Sequence, residues 1–106
     1  MSKSNHTKQR VNLREIAGTF AEDKDLARQI RTERILPSIR HGRKILLDFT
    51  GVSIATQSFV HAVISEALQI HGQRALDLVE FKGCNPTVKS VILTVVDYSL
   101  ADRKAS

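Results

Sequence analysis

A chain of 106 residues can enclose one core of ordinary size but not two, so a single domain is expected. Its 42% apolar and 25% charged residues are the balance of a soluble globular protein, and no apolar run nears the roughly 20 residues a membrane span requires. The net charge of +5 admits an acidic partner or a nucleic acid, yet a balance this modest more often serves solubility.

The opening MSKSNHTKQR lacks the apolar centre of a signal peptide, so a cytoplasmic protein is expected. Cys84 is the single cysteine and has no internal disulfide partner, which agrees with a reducing compartment. Residues 1–10, with Lys3, Lys8 and Arg10, read as a disordered basic tail, and residues 11–102 as the domain.

In RVNLREI, Val11 and Leu13 alternate with polar neighbours and suggest a half-buried strand. Gly18 permits a bend, and the acids of AEDKD suit the start of a first helix. Leu26, Ala27, Ile30, Ile35 and Ile39 give that helix a ragged apolar face, which Pro37 should kink or interrupt. After the HGR stop at 41–43, KILLDF (44–49) is short, apolar and flanked by breakers, as a central strand would be.

Beyond Gly51, the residues Phe59, Val60, Val63, Ile64, Ala67 and Leu68 recur at helical spacing, and Gly72 ends this second helix. ALDLVEF (75–81) alternates and fits a strand. NPTVKSVILTVVDYSL is rich in β-branched residues, which prefer strands. Its spacing decides for a third helix, because Val88, Val91, Ile92, Val95, Val96 and Leu100 keep the helical period and Pro86 suits a helix start. The order β-α-β-α-β-α predicts an α/β fold with a mostly parallel sheet and helices packed mainly on one face.

Catalytic patterns are sparse. There is neither a Walker-type phosphate loop nor a G-x-G-x-x-G turn, and the five glycines stand alone. His6, His41, His61 and His71 lack metal-ligand spacing. Cys84 precedes the third helix, whose dipole can lower a thiol pKa, but a small packing role is the simpler reading. Asp48 and Asp97, two lone acids, make a weak metal case. No enzymatic activity, cofactor or metal is expected.

KILLDFTGVSIATQSFVHAVI resembles the centre of STAS domains, the sulfate-transporter and anti-sigma-factor-antagonist family, where a strand of the type L-D-L-x-x-V enters a D-S-S-G-L bend. LDFTGV followed by TQSF is more similar still to a small bacterial branch known as STAS-like domains of unknown function. NPTVKSVI resembles the segment before the last STAS helix, and IAGTF (16–20) the exit from an earlier strand. The likeness covers roughly residues 11–100 and implies a small STAS-like sandwich.

In STAS antagonists the bend serine is phosphorylated by a partner kinase, which releases the domain. Ser58 falls on the second serine of that bend, Gln57 on the first and Thr56 on the aspartate, while Phe59 replaces the glycine. The resemblance thus implies a regulatory module that binds a protein, of the kinase-like ATP-binding kind, through Thr56, Gln57, Ser58 and Phe59. The loop Cys84, Asn85, Pro86 and Thr87 is expected to form a secondary contact. Phe59 would set a bulky ring where the glycine of that bend leaves room for a partner's backbone.

Bottom-up chemistry allows Thr56 to cap the second helix and Ser58 to carry a phosphate in its first turn. A purely capping role for Thr56 and Ser58 is the simpler alternative. The alternative function is a nucleic-acid or anionic-ligand binder using Arg28, Arg31, Arg34, Arg40, Arg43 and Lys44. Against nucleic acid, no aromatic stacking platform or basic recognition helix is visible. An open sheet also leaves an edge through which the chain could pair with a second copy.

Overall fold

The computed structural model describes residues 8–104, so the expectation for residues 1–7 lies outside the described residues. Strands β1 (Lys8–Asn12), β3 (Lys44–Asp48) and β5 (Val79–Lys82) form a parallel sheet in the order β1-β3-β5. KILLD is therefore the central strand, as its flanking breakers predict. A second, two-residue parallel ladder joins β2 (Phe20–Ala21) to β4 (Ile54–Ala55).

Register separates the two faces of the main sheet. Val11 pairs with Leu47, Ile45 with Val79 and Leu47 with Phe81, so these side chains share one face. Val11, Ile45, Leu47 and Val79 are buried there beneath the helices. The opposite face carries Arg10, Lys44, Leu46, Asp48, Glu80 and Lys82, with ion pairs Arg10–Asp48 at 2.5 Å and Lys44–Glu80 at 3.6 Å. An α/β fold with its helices mainly on one face is the result.

The start of the chain corrects the sequence reading. Lys8–Arg10 are not tail, because they pair with Lys44–Leu46. Alternating charge does not prevent a strand whose charged side chains point to the open face. Leu13 belongs to a short helix, α1 (Leu13–Ala17), because the Asn12 side chain accepts the Glu15 amide at 3.1 Å and ends the strand.

Asp23 caps α2 (Lys24–Ile30), accepting the amides of Asp25 and Leu26. The interruption imposed by Pro37 takes the form of a π segment, Arg31–Ile35, leading into α3 (Leu36–Arg40). Proline offers no N–H to the carbonyl four residues earlier, and the wider turn, with Leu36 N–H bonded to Arg31 O, carries the chain past it.

The long helix α4 (Gln57–His71) ends at Gly72, as expected. ALDLVEF is only partly strand: α5 (Gln73–Leu78) takes its first half and β5 begins at Val79. Alanine and leucine are good helix formers, and the β-branched residue enters only at Val79. The valine-rich segment is helical, α6 (Pro86–Lys104), with Val88, Ile92 and Val95 buried and Val91 and Val96 half-buried. Where α4 and α6 meet, the buried Ser99 hydroxyl donates to Ser65 Oγ at 2.9 Å, so two core hydroxyls satisfy each other. Among the described residues no helix is long and apolar enough to cross a membrane.

Candidate functional site

Parallel strands aim their C-terminal ends at one edge of the fold, where ligand sites of α/β sheets lie. Here that edge is built from the turn after β3, the loop after β5, and the passage from β4 into α4. Backbone bonds tie them together. Phe49 N donates to Lys82 O at 2.7 Å, Ser53 N to Thr19 O at 2.8 Å and Thr56 N to Ala21 O at 2.9 Å. Asn85 adds a side-chain link, donating to Ser53 O at 3.0 Å while its oxygen accepts the Val88 amide at 2.8 Å.

The bend at the head of α4 is thus a fixed platform. Thr56 is half-buried, and its hydroxyl accepts the Phe59 amide at 3.1 Å, the cap expected from the sequence. Gln57 and Ser58 are exposed. Phe59 is fully buried, which corrects its assignment to the contact surface. Successive helical residues point about 100° apart, so Ser58 faces out while Phe59 turns inward with Val63, one turn on.

The second loop is also divided. Pro86 and Thr87 are exposed, whereas Cys84 and Asn85 are half-buried. Burial raises the Cys84 thiol pKa and so opposes thiolate formation despite the helix that follows. Asn85 is a staple first and a contact residue second.

Asp48 ends the central strand almost fully buried. The Thr50 side chain, the Arg10 guanidinium and the Thr50 amide all hydrogen-bond to it, and together they hold its carboxyl well below the usual carboxylate range. It does not meet Asp97, which is exposed on α6. Among the described residues no three His, Cys, Asp or Glu side chains are placed to hold a metal ion. Asp48 acts as a structural clasp between β1 and the turn after β3.

The clasp has a pH signature. A depressed folded pKa contributes stability that is fully present above the unfolded aspartate value of about 3.9, and that is lost as pH falls towards the folded value. Urea midpoints measured at about pH 6 and about pH 2.5 should therefore fall more steeply in wild type than in Asp48→Asn. Parallel slopes would remove the clasp from the account.

The basic residues read together at 28–44 are not one cluster. The helical run from Lys24 to Arg40 is about 25 Å long at 1.5 Å per residue, and it distributes them along the domain. Arg34 turns to β1, donating to Gln9 Oε1 at 3.0 Å and Arg10 O at 3.3 Å. Arg40, Arg43 and Lys44 lie around the start of β3, at the opposite end from the α4 bend.

Arg28 and Arg31, by contrast, line a groove of about 710 Å³ between α2 and α4. Lys24 joins them on the α2 side, and Gln57, Ser58 and His61 form the α4 side. Tyr98 closes it from α6, with its ring stacked on His61 at 5.9 Å and its hydroxyl 3.4 Å from Gln57 Nε2. Lys24, His61 and Tyr98 were not assigned to a site by sequence reasoning. Their convergence depends on the packing of three helices, although the i, i+4, i+7 spacing of Lys24, Arg28 and Arg31 was a usable signal.

A parallel three-stranded sheet, covered by helices on one face and presenting a polar bend at its C-terminal edge, defines a small α/β domain of the STAS-like class. The family model described as STAS-like domain of unknown function (DUF4325) matches residues 27–89, and the chain belongs to that family. The matched stretch runs from α2 to the first turn of α6 and includes the α4 bend. No curated protein and no solved structure matches the chain.

Proposed function

We propose that this domain is a non-enzymatic regulatory module that binds a protein through the start of α4, in the manner of an anti-sigma-factor antagonist. Gln57 and Ser58 are its polar contacts, with Pro86 and Thr87 beside them. The observation that carries the reading is the apolar pair immediately before the bend. Phe20 and Ile54 are cross-strand partners in the β2–β4 ladder and remain 47% and 42% exposed. Two large apolar side chains on one rigid ladder, next to exposed polar residues, suit a small protein contact.

The resemblance implies a kinase-like ATP-binding partner and phosphorylation of Ser58. The second position of α4 tolerates that charge, since first-turn amides and the helix dipole favour an anion. A phosphate adds about −1.5 to −2 charges at the centre of the proposed contact and changes what can dock there.

The test begins with capture of a partner from native lysate and its identification by mass spectrometry. Ser58→Asp should leave the fold intact and weaken that complex by more than about 1 kcal/mol, because it places a charge inside the contact. Ser58→Ala should bind almost normally and lose any phosphate from the intact mass. Equal partner affinity for wild type and Ser58→Asp would reduce the bend to a helix cap.

A further inference from the structure

We propose that the groove between α2 and α4 is a binding site for a phosphomonoester or pyrophosphate group. Its lining is asymmetric in charge. Lys24, Arg28 and Arg31 stand along one wall, and no carboxylate lines the cavity. Asp25 and Glu66 do not line it, but each pairs with one of its cations: Asp25 with Arg28, and Glu66, whose Oε1 is 3.5 Å from Arg31 Nε. That Nε is buried without a hydrogen-bond partner, while Arg31 Nη1 reaches only to Ala62 O at 3.4 Å. The guanidinium thus keeps donor capacity beyond these long contacts, on a side chain that is 21% exposed.

The opposite wall supplies neutral donors, the Gln57 amide and the Ser58 hydroxyl, at the start of a 15-residue helix whose dipole favours an anion. Three cations facing donors at a helix start favour a dianion over a monoanion, because charge-assisted bonds to phosphate oxygens can form from both walls. Nucleic acid is disfavoured by the same geometry, since the remaining arginines lie elsewhere on the domain. Tyr98 and His61 already stack on each other and offer no free platform for a base. The site shares Gln57 and Ser58 with the proposed protein contact, yet the two tests are separable: the variant that removes the cations alters neither residue, and the Ser58→Asp comparison needs no anion.

The experiment is a titration of the purified full chain, observed through backbone amide NMR shifts. The probes are sodium pyrophosphate and a short phosphoserine peptide, with sodium chloride at matched ionic strength as control. Saturable shifts confined to the stretch from Lys24 to Arg31, the first turns of α4 and the neighbourhood of Tyr98 are expected with at least one phosphate probe and not with chloride. Lys24→Glu/Arg28→Glu changes two exposed residues, so it should keep the wild-type circular dichroism and thermal transition while losing at least tenfold in affinity. Tighter binding of pyrophosphate would support the site and assign it to a small metabolite. Tighter binding of the peptide would support it and assign it to a phosphorylated partner. Shifts that match chloride, or affinity retained in the folded double variant, would overturn the proposal.

Discussion

Phe59→Ala is expected to destabilise the domain by about 3–5 kcal/mol, the usual range for deleting a buried aromatic ring. The ring is 0% exposed and belongs to the cluster that includes Leu47, Val63 and Val88. Truncation would leave a void at the junction of sheet and helices, in an interior that relaxes only partly. Domains have about 5–15 kcal/mol of stability in all, so this loss is a large share of it. Phe59→Leu retains most of the volume and should cost less than about 1.5 kcal/mol. Urea denaturation of the three proteins decides the matter. A Phe59→Ala change below about 1 kcal/mol, with partner binding lost, would mean that the ring faces outward as a contact residue.

That residue also shows where sequence reasoning ends. Its spacing with Val60, Val63 and Ile64 places Phe59 on the buried face of α4, whereas the family resemblance places it in the contact bend. Packing settles the conflict in favour of spacing. Periodic segments were legible for the same reason: α4 and α6 each bury a face that the pattern itself displays, while β3 was marked by an apolar run between breakers. The β-branched residues of α6 did not override their period, because a helix covering α4 and the sheet buries them equally well.

Elements without a period were not legible. The β2–β4 ladder is two residues long, too short to alternate, and exists because Thr19 and Ala21 offer carbonyls to the chain arriving from β3. The division of ALDLVEF between α5 and β5 turns on Gly72 and on Val79, which a seven-residue window cannot separate. Arg10 looked like tail because the partner of its charge, Asp48, lies 38 residues further along the chain. The basic groove was half-visible: Arg28 and Arg31 were noted, but charge counted along a sequence does not reveal which residues a 25 Å helical run (about 1.5 Å per residue) sets apart. Neither does it show that Tyr98, some 40 residues from Ser58, closes the same cavity.

The same edge of the fold provides the second large effect. Gly83→Ala is expected to cost about 2–5 kcal/mol, from two sources that can be measured apart. Gly83 has φ +70°, a left-handed conformation in which any Cβ crowds its own backbone at about 1–2 kcal/mol. A Cβ there would also lie 2.8 Å from the Thr50 amide nitrogen and 2.9 Å from its Cα, with the Thr50 hydroxyl closer still. These are backbone atoms of the turn that Asp48 clasps, so they cannot rotate away. Either the loop after β5 or the turn after β3 must move, at a further cost of about 1–3 kcal/mol. Gly42 supplies the control, because its φ is +69° and an added Cβ meets only the flexible end of the Arg74 side chain, at 3.3 Å. Gly42→Ala should therefore show little beyond the conformational cost, and the difference between the two variants reads the close approach of the β5 loop to the β3 turn. Equal losses for Gly42→Ala and Gly83→Ala would mean that the two loops are free to separate. The α4 bend would then lack the rigid edge on which its contact role depends.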